Sequence, residues 1–329
     1  WVFFVFQGCG LTYRQAKTLP QAESVRTTFV MTVKIDNSDE TTMLRYKIRI
    51  PVDINYRQKI IAARFTPEPD SITDDGAERY AEYLLINPDD GLELKLEFDM
   101  EIYRYDMHLA SNFNVDPEDE LNPADFVKDE DKIESADPEL LKMAQSIKGK
   151  NRQEIVENIY LKVLDVLEYD LTMGHTKSWK GAKVSAVQGS GVCSDYTDLF
   201  VALCRAKGIP ARYVSGFVVS ESSTGMGHAW GEVYFENKGW VRFDPTWGDD
   251  LLSDTDFYHN TPSYVEIMRS SRDNSTGYYY SGAAPKISVE VESRNIKELN
   301  TFNSKASSGY FEDLIKDPVF KDMLARYRK

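Results

Sequence analysis

Residues 188–210 read QGSGVCSDYTDLFVALCRAKGIP, a glycine-rich loop that opens directly into an amphipathic helix. Apolar side chains at positions 196, 199, 200 and 203 form the buried stripe of this helix, and Gly208 and Pro210 end it. Cys193 falls in the first turn, where backbone N–H groups and the helix dipole favour a thiolate over a thiol. The pattern predicts a nucleophilic cysteine at the start of a helix.

The residues after this helix predict three strands, at 211–219, 227–235 and 239–244. His228 opens the second strand and Asp244 closes the third. A loop of three or five residues centred on position 236 would set the imidazole and the carboxylate opposite each other on one face. A carboxylate that orients an imidazole allows that imidazole to ionise a thiol and to pass protons. Cys193, His228 and Asp244 are therefore the predicted catalytic residues.

Further residues are candidates for binding the reacting carbonyl. The Cys193 backbone N–H is the first candidate donor to an oxyanion, and the second is the side-chain amide of Gln188 or the indole of Trp179. Gln188 is equally consistent with an ordinary loop residue. Trp230, Trp240 and Trp247 are candidates for the walls of a cleft, although large aromatic residues near strands more often belong to a core.

The rest of the chain predicts a domain order. Period-two alternation over residues 23–111 predicts an antiparallel β-sandwich without evident chemistry of its own. An acidic, proline-containing linker at 112–134 precedes the catalytic domain at 135–260. Residues 261–329 are expected to form a C-terminal extension that packs on the core. The predicted fold class is α+β.

The first residues of the chain predict export. An apolar run at residues 1–6 precedes Gly8-Cys9, which resembles the cleavage site of a bacterial lipoprotein signal, so Cys9 is a lipidation candidate. Residues 1–22 would then be a signal remnant and tether, and the protein would be periplasmic or on the cell surface, with a lipid anchor at Cys9. A buried first strand is the alternative.

Composition excludes several functions. Thirty-nine Lys and Arg residues against 53 Asp and Glu residues give a net charge of −14, which disfavours nucleic acid and anionic lipid as partners. The 3 cysteines are too scattered for a disulfide framework or a four-cysteine zinc site. We expect no metal and no cofactor.

Three sequence blocks, at residues 191–216, 227–234 and 239–246, resemble the core of the transglutaminase-like superfamily in order and spacing. The resemblance implies a papain-like α+β catalytic domain with Cys193 as nucleophile, His228 as base and acid, and Asp244 as orienting carboxylate. The preceding β-sandwich looks like the N-terminal domain of many bacterial members, which include cysteine proteases and other hydrolases.

The resemblance implies attack of a thiolate on an amide of a protein or peptide, with a thioester intermediate. The calcium-binding and barrel domains of the animal cross-linking enzymes have no evident counterpart, which favours a peptidase, amidase or deamidase. Protein-glutamine transamidation is the closest alternative. A binding or assembly module that keeps the fold without the chemistry is the other.

Overall fold

The computed structural model describes residues 24–37, 40–54, 57–74, 78–106, 122–170, 180–219, 226–248, 257, 259–260, 263–269 and 277–299. Cys9, the predicted tether and Trp179 lie outside these ranges. All described elements belong to one compact unit, residues 22–300. Among the described helices, none combines the length and the apolar character needed to cross a bilayer.

Strands and helices follow one another along the chain without a regular alternation. The described strands are β1 (Ser24–Asp36), β2 (Thr41–Ile50), β3 (Gln58–Thr66), β4 (Ser71–Asp74), β5 (Arg79–Ile86), β6 (Leu92–Tyr103), β7 (Tyr105–Asp106), β8 (Glu168–Tyr169), β9 (Ser190–Gly191), β10 (Ala211–Val218), β11 (Met226–Phe235), β12 (Gly239–Phe243), β13 (His259–Asn260), β14 (Tyr264–Met268), β15 (Tyr278–Gly282) and β16 (Lys286–Leu299). The described helices are α1 (Pro138–Ser146), α2 (Arg152–Val166), α3 (Ala182–Gln188), α4 (Cys193–Ala206), α5 (Pro245–Gly248) and a 3-10 helix (Pro123–Val127).

The N-terminal domain is a sandwich of two antiparallel sheets, with strand orders β16-β1-β6-β3 and β15-β2-β5-β4. Alternate residues of β1 and β6 point into the core, as their period-two sequence predicts. The core contains Phe29, Leu44, Leu94 and Phe98. The predicted α+β class with an N-terminal antiparallel sandwich is confirmed.

The sandwich is not confined to residues 23–111. Strands β15 and β16 follow Cys193, His228 and Asp244 in sequence but pair with β2 and β1, so residues 278–299 are sandwich strands rather than an extension on the predicted catalytic core. Strand β14, also beyond residue 260, joins the catalytic sheet beside β10. Alternation in 286–292 predicts a strand, but its pairing with β1, some 250 residues earlier, leaves no local signal.

The predicted acidic linker is partly a packed segment. Within its described residues, 122–134, Phe126 lies edge-on to the ring of Trp240 with centroids 5.2 Å apart, and Ile133 is fully buried. Glu130 pairs with the buried guanidinium of Arg205 on α4 at 2.9 Å. These contacts attach the segment to the catalytic domain, because the apolar residues that lie among the acidic ones are buried against that domain.

The catalytic domain places α4 on one face of the sheet β12-β11-β10-β14. Odd-numbered residues of β11 and β12 enter the core with α4: Ala229, Val233, Phe235, Val241 and Phe243. Even-numbered residues, among them His228, Trp230 and Glu232, point to the other face, as strand geometry requires. Gly231 lies where β11 meets α4, and a Cβ there would come within 2.6 Å of the Phe200 ring.

The sandwich and the catalytic sheet share buried contacts. Phe217 and Val265 of the catalytic sheet belong to the sandwich core, and the ring centroids of Phe217 and Phe29 are 5.6 Å apart. Arg57, just before β3, reaches the catalytic sheet and pairs with Glu232 and Glu266, both fully buried. The two domains therefore meet through apolar packing and buried charge.

Candidate active site

The loop before Cys193 is held by one buried carboxylate. Asp195 Oδ2 accepts a hydrogen bond from the Val192 backbone N–H at 3.0 Å, which caps the start of α4. Its Oδ1 accepts from the backbone N–H groups of Lys180 and Gly181, at 2.6 and 2.9 Å. One side chain thus fixes the segments on both sides of α3 relative to Cys193.

A short parallel pairing of β8 with β9 also supports this loop, with Tyr169 opposite Gly191. A Cβ at Gly191 would come within 2.5 Å of the Asp195 Cβ, so only glycine allows the carboxylate to approach. The loop that precedes Cys193 is therefore held on both sides, and Cys193 begins α4 half-buried.

His228 and Asp244 come together from neighbouring strands. Nε2 of His228 lies 2.7 Å from Oδ2 of Asp244. The β11–β12 loop spans residues 236–238, an odd length as the single-face prediction requires. The pairing Gly231↔Phe243 shows that the hairpin is centred on residue 237, not 236, so Asp244 lies just beyond the last pair and reaches His228 diagonally.

The Asp244 carboxylate is fixed by both of its oxygens. Oδ1 accepts from the backbone N–H groups of Thr246 and Trp247, at 3.1 and 3.4 Å, at the start of α5. Oδ2 accepts from the hydroxyl of Tyr264 at 2.7 Å in addition to His228. Because Nε2 of His228 is engaged, Nδ1 is the ring nitrogen left to face Cys193.

The environment favours an ion pair between Cys193 and His228. Burial raises the pKa of the Cys193 thiol, but its hydrogen bond to His228, the charge of that imidazolium and the Ala229 N–H outweigh burial and hold the pKa below its ordinary value. Burial lowers the pKa of His228, but Asp244 and Cys193 together raise it to about 10. The arrangement can therefore hold a thiolate beside an imidazolium at neutral pH.

Aromatic side chains surround the imidazole. The His228 ring centroid lies 5.5 Å from that of Trp247 and 6.0 Å from those of Trp230 and Tyr264. The exposed Tyr169 on β8 has its ring centroid 6.2 Å from that of Tyr196 on α4. Burial raises the pKa of Tyr169, and the charges of Cys193 and Asp244 raise it further.

The other predicted site residues are distributed differently. Gln188 is the last residue of α3 and is exposed. Trp230 is fully buried against Tyr264, with ring centroids 5.0 Å apart. Trp240 packs on Phe126 and under the Arg212 guanidinium, at the contact with the sandwich. Trp179 and Cys9 lie outside the described residues.

Three residues of the site were not predicted from the sequence: Asp195, Tyr169 and Tyr264. A carboxylate at the third position after a helix cap is a recognisable capping signal, and it could have identified Asp195. Tyr169 and Tyr264 carry no comparable local signal, because their positions depend on the pairings β8–β9 and β10–β14.

Within the described parts of the chain, no cluster of three or more His, Cys, Asp or Glu side chains is arranged to hold a metal ion. The groups that the site brings together are a thiol, an imidazole and a carboxylate, with tyrosine hydroxyls and backbone N–H groups around them.

Sequence comparison identifies relatives of part of the chain. Two uncharacterized proteins match it: YebA of Bacillus subtilis (strain 168), 37% identical over 71 residues, and ML0607 of Mycobacterium leprae (strain TN), 39% identical over 66 residues. Each match covers 18% of this chain, and the matches cover 10% and 23% of the respective relatives. The chain thus spans less than a quarter of the length of either relative.

The fold extends over more of the chain. The crystal structure of a candidate cysteine protease from Cytophaga hutchinsonii, determined at 1.9 Å, aligns with 88% of this chain and 96% of its own length, at 19% identity and a TM-score of 0.56. Residues 141–245 match the transglutaminase-like superfamily, which confirms the resemblance seen in the sequence. The chain therefore carries a transglutaminase-like core domain at residues 141–245, within a fold that it shares with this crystal structure.

Proposed function

We propose that the protein is a cysteine-dependent hydrolase of amide bonds in proteins or peptides, with Cys193, His228 and Asp244 as its catalytic triad. The observation that carries the proposal is the buried His228–Asp244 pair beside Cys193 at the start of α4, an arrangement that lowers the thiol pKa and raises the imidazole pKa. Asp244, 2.7 Å from the imidazole, supplies the charge that keeps the proton on His228. A binding module has no need of this arrangement.

The geometry supports a two-step reaction. The Cys193 thiolate attacks the amide carbonyl carbon, and His228 donates its proton to the leaving amine as the C–N bond breaks, which leaves a thioester. The now neutral His228 then removes a proton from water, the resulting hydroxide attacks the thioester, and the Cys193 thiolate departs. The products are a carboxylic acid and an amine or ammonia, and the enzyme returns to its thiolate–imidazolium form.

Charge on the carbonyl oxygen must be stabilised during both steps. The Cys193 backbone N–H lies in the first turn of α4, where N–H groups have no partner within the helix, and it is the proposed first donor. Gln188 and Trp179 remain the proposed second donors. Gln188 would have to turn from its solvent-exposed position at the end of α3 to serve.

Water is the proposed acceptor of the acyl group rather than an amine. A transamidase must protect its thioester from water, which requires apolar walls. Residues 220–227, SESSTGMG, are polar and glycine-rich, and Tyr169, whose pKa the charge of Cys193 raises, is an exposed polar side chain. The structural neighbour that is a candidate cysteine protease agrees with this choice.

The ionisation of Cys193 is tested with iodoacetamide at pH 6. We expect Cys193 to be alkylated at least about tenfold faster than an unperturbed thiol, of which only about 0.3% is ionised at that pH. Cys204 is an internal control, because its complete burial raises its pKa and shields it in the folded protein. Alkylation of Cys193 no faster than a free thiol would refute the triad and favour a binding module.

The reaction itself is tested in one mixture of a glutamine-rich protein and a labelled primary amine. We expect new N-termini or released ammonia to exceed incorporation of the amine at millimolar concentration, and all three signals to vanish in Cys193→Ala. Dominant incorporation would identify a transamidase instead.

We also propose export, with a lipid on Cys9, on the sequence of residues 1–9 alone. The precursor expressed in a Gram-negative host should fractionate with membranes, and Cys9→Ser should release it. Recovery of the unsubstituted protein from cytosol would contradict export.

A further inference from the structure

Tyr264 and His228 share one oxygen of the Asp244 carboxylate. The hydroxyl of Tyr264 and Nε2 of His228 each lie 2.7 Å from Oδ2. The other oxygen, Oδ1, is occupied by the backbone N–H groups at the start of α5. Tyr264 therefore contacts the same oxygen that holds the imidazolium. None of the contacts described above joins Tyr264 to the Cys193 sulfur.

The surroundings make Tyr264 a strong and fixed donor. The side chain is 1% exposed and its ring lies edge-on to that of Trp230. The guanidinium of Arg242 stands 4.8 Å from the Tyr264 ring centroid. A cation beside a phenol stabilises the negative charge that gathers on the oxygen as it donates, so Arg242 strengthens the hydrogen bond to Asp244.

Arg242 is in turn held by a buried carboxylate. It pairs with Glu266, which Arg57 of the sandwich also approaches at 3.4 Å. Burial raises the pKa of Glu266, but Arg242, Arg57 and Arg269 outweigh burial and lower it to about 2. The cation beside Tyr264 is therefore fixed in charge and in place.

We infer that Tyr264 is a positioning residue that divides the charge of Asp244 and so limits how tightly the carboxylate keeps the proton on His228. The inference rests on the proposed function. His228 must hold a proton to maintain the thiolate, yet must release that proton to the leaving amine. A carboxylate with His228 as its only partner on Oδ2 would retain the proton more firmly.

The titratable and charged groups that face the His228–Asp244 pair come from five elements. They are Cys193 on α4, Tyr169 on β8, Tyr160 on α2, whose hydroxyl donates to the Asp244 backbone carbonyl at 3.1 Å, Arg242 on β12 and Tyr264 on β14. Among them, Tyr264 is the side chain that donates directly to Oδ2, so its hydroxyl can be removed without changing the other charges.

The test is Tyr264→Phe. The acid limb is taken from the rate of Cys193 alkylation by iodoacetamide across pH, and the basic limb from hydrolysis of a glutamine-rich protein, which needs protonated His228. We expect the basic limb to move to higher pH by roughly half to one unit, because Asp244 then stabilises the imidazolium undivided, and the acid limb not to move to lower pH, because the charge of Asp244 opposes the thiolate. Turnover should fall about tenfold, because the imidazolium becomes a weaker acid. A loosened site would instead move the basic limb to lower pH, and a lowered or unmoved basic limb would overturn the inference.

Tyr80→Phe is the matched control. Tyr80 is also buried and donates to a buried carboxylate, Glu78, that is paired with an arginine, Arg49, but it lies in the sandwich. It should lose comparable stability and leave both limbs unmoved. Should Tyr264→Phe unfold near the assay temperature, the limbs are measured at 4 °C.

A second comparison removes the charge itself. When Tyr264→Phe is added to Asp244→Asn, we expect no further shift of either limb, because a neutral amide does not retain the proton on His228. A further shift would show that Tyr264 acts by another route. Slow alkylation of the unsubstituted protein would refute the proposed function instead, so the two failures are distinguishable.

Discussion

Cys193 and His228 hold one proton between them, and that proton governs how their pair contributes to stability as the pH changes. In an unfolded chain the thiol and the imidazole titrate near roughly 8.5 and 6.5. Between those values both the unfolded pair, thiol and imidazole, and the folded pair, thiolate and imidazolium, carry one proton. Their contribution to the free energy of unfolding is therefore flat across neutral pH.

Above roughly pH 8.5 the unfolded pair has lost its proton, whereas folded His228 keeps one until about pH 10. The folded state then binds more protons, so stability must fall as the pH rises. We expect the unsubstituted protein to lose roughly 1.4 kcal/mol per pH unit in this range relative to a Cys193→Ala, His228→Asn double variant. Urea denaturation at pH 7.5 and 9.5 measures the difference, and equal pH dependence of the two proteins would contradict the ion pair.

At the scale of single residues, the sequence predicts those residues whose neighbours carry a recognisable structural signal. Cys193 follows a glycine loop and begins a helix, while His228 and Asp244 stand on two strands joined by a short loop, so spacing alone relates them. Tyr264 contacts Asp244 only because β14 pairs with β10, and that pairing leaves no mark in the residues around Tyr264.

The start of α4 depends on Asp195 more than on any propensity of the helix. Its carboxylate accepts hydrogen bonds from three backbone N–H groups: Lys180, Gly181 and Val192. Asparagine at this position would have only one accepting oxygen. The backbone N–H groups on one side of the loop would then have no acceptor. The loop that presents Cys193 would then lose one of its two attachments.

We expect Asp195→Asn to lower the free energy of unfolding by about 2–4 kcal/mol and to slow Cys193 alkylation at pH 6, because buried N–H groups lose charged partners. Asp137→Asn is the control: Asp137 caps α1 through the Glu139 and Leu140 N–H groups, away from the thiol. It should cost at most about 1 kcal/mol and leave alkylation unchanged, because asparagine caps a helix as well as aspartate and only the ion pair with Lys183 is lost. Equal effects of both variants on alkylation would mean that Asp195 is only a cap.

The hairpin of β11 and β12 shows the limit of prediction for an element. Period-two alternation predicts which residues of each strand share a face, and the odd loop keeps His228 and Asp244 on the same side. The hairpin is centred on residue 237 rather than on the predicted residue 236 because Gly239 begins β12 at a positive φ of 72°. This conformation lets the chain turn within residues 236–238. A shift of the hairpin centre by one residue preserves the face and changes only the partner opposite each residue.

At the scale of the whole molecule, buried ion pairs join the sandwich to the catalytic domain, and each pair takes its two charges from different domains. Arg57 carries its guanidinium to Glu232 and Glu266 of the catalytic sheet and donates to the backbone carbonyl of Trp240. Arg212 shares Glu232 at 2.7 Å. Removal of Arg57 would leave buried carboxylates with too little positive charge.

We expect Arg57→Met to lower the free energy of unfolding by about 3–5 kcal/mol, in one transition that includes both domains. Arg64→Met is the matched control, since Arg64 pairs with Asp99 at 2.8 Å on the sandwich surface and should cost at most about 1 kcal/mol. Circular dichroism and tryptophan fluorescence report on the whole chain and on the catalytic domain respectively. Two separate transitions in the unsubstituted protein would contradict this coupling.

The domain order is the part that the sequence conveys least well. Local alternation predicts sandwich strands before residue 111 and one more strand near 286–292, but the return of β15 and β16 to the first domain is a long-range pairing. The packed residues Phe126 and Ile133 were likewise hidden in a segment whose acidic composition indicates solvent. Composition averages over a segment, whereas packing is decided by its few apolar members.

The return of β16 to β1 has a consequence for how the protein is made. Roughly 180 residues separate the end of β6 from the start of β16, which a ribosome translates in roughly 10–40 s. During that interval the nascent sandwich displays the open edges of β1 and β2, which are templates for aggregation or for chaperone binding. A transcript truncated after the codon for residue 276 would encode Cys193, His228 and Asp244 in full, yet yield a chain with both edges unsealed. Premature termination would therefore yield chains prone to aggregation or chaperone capture, even though the residues of the candidate site are all present.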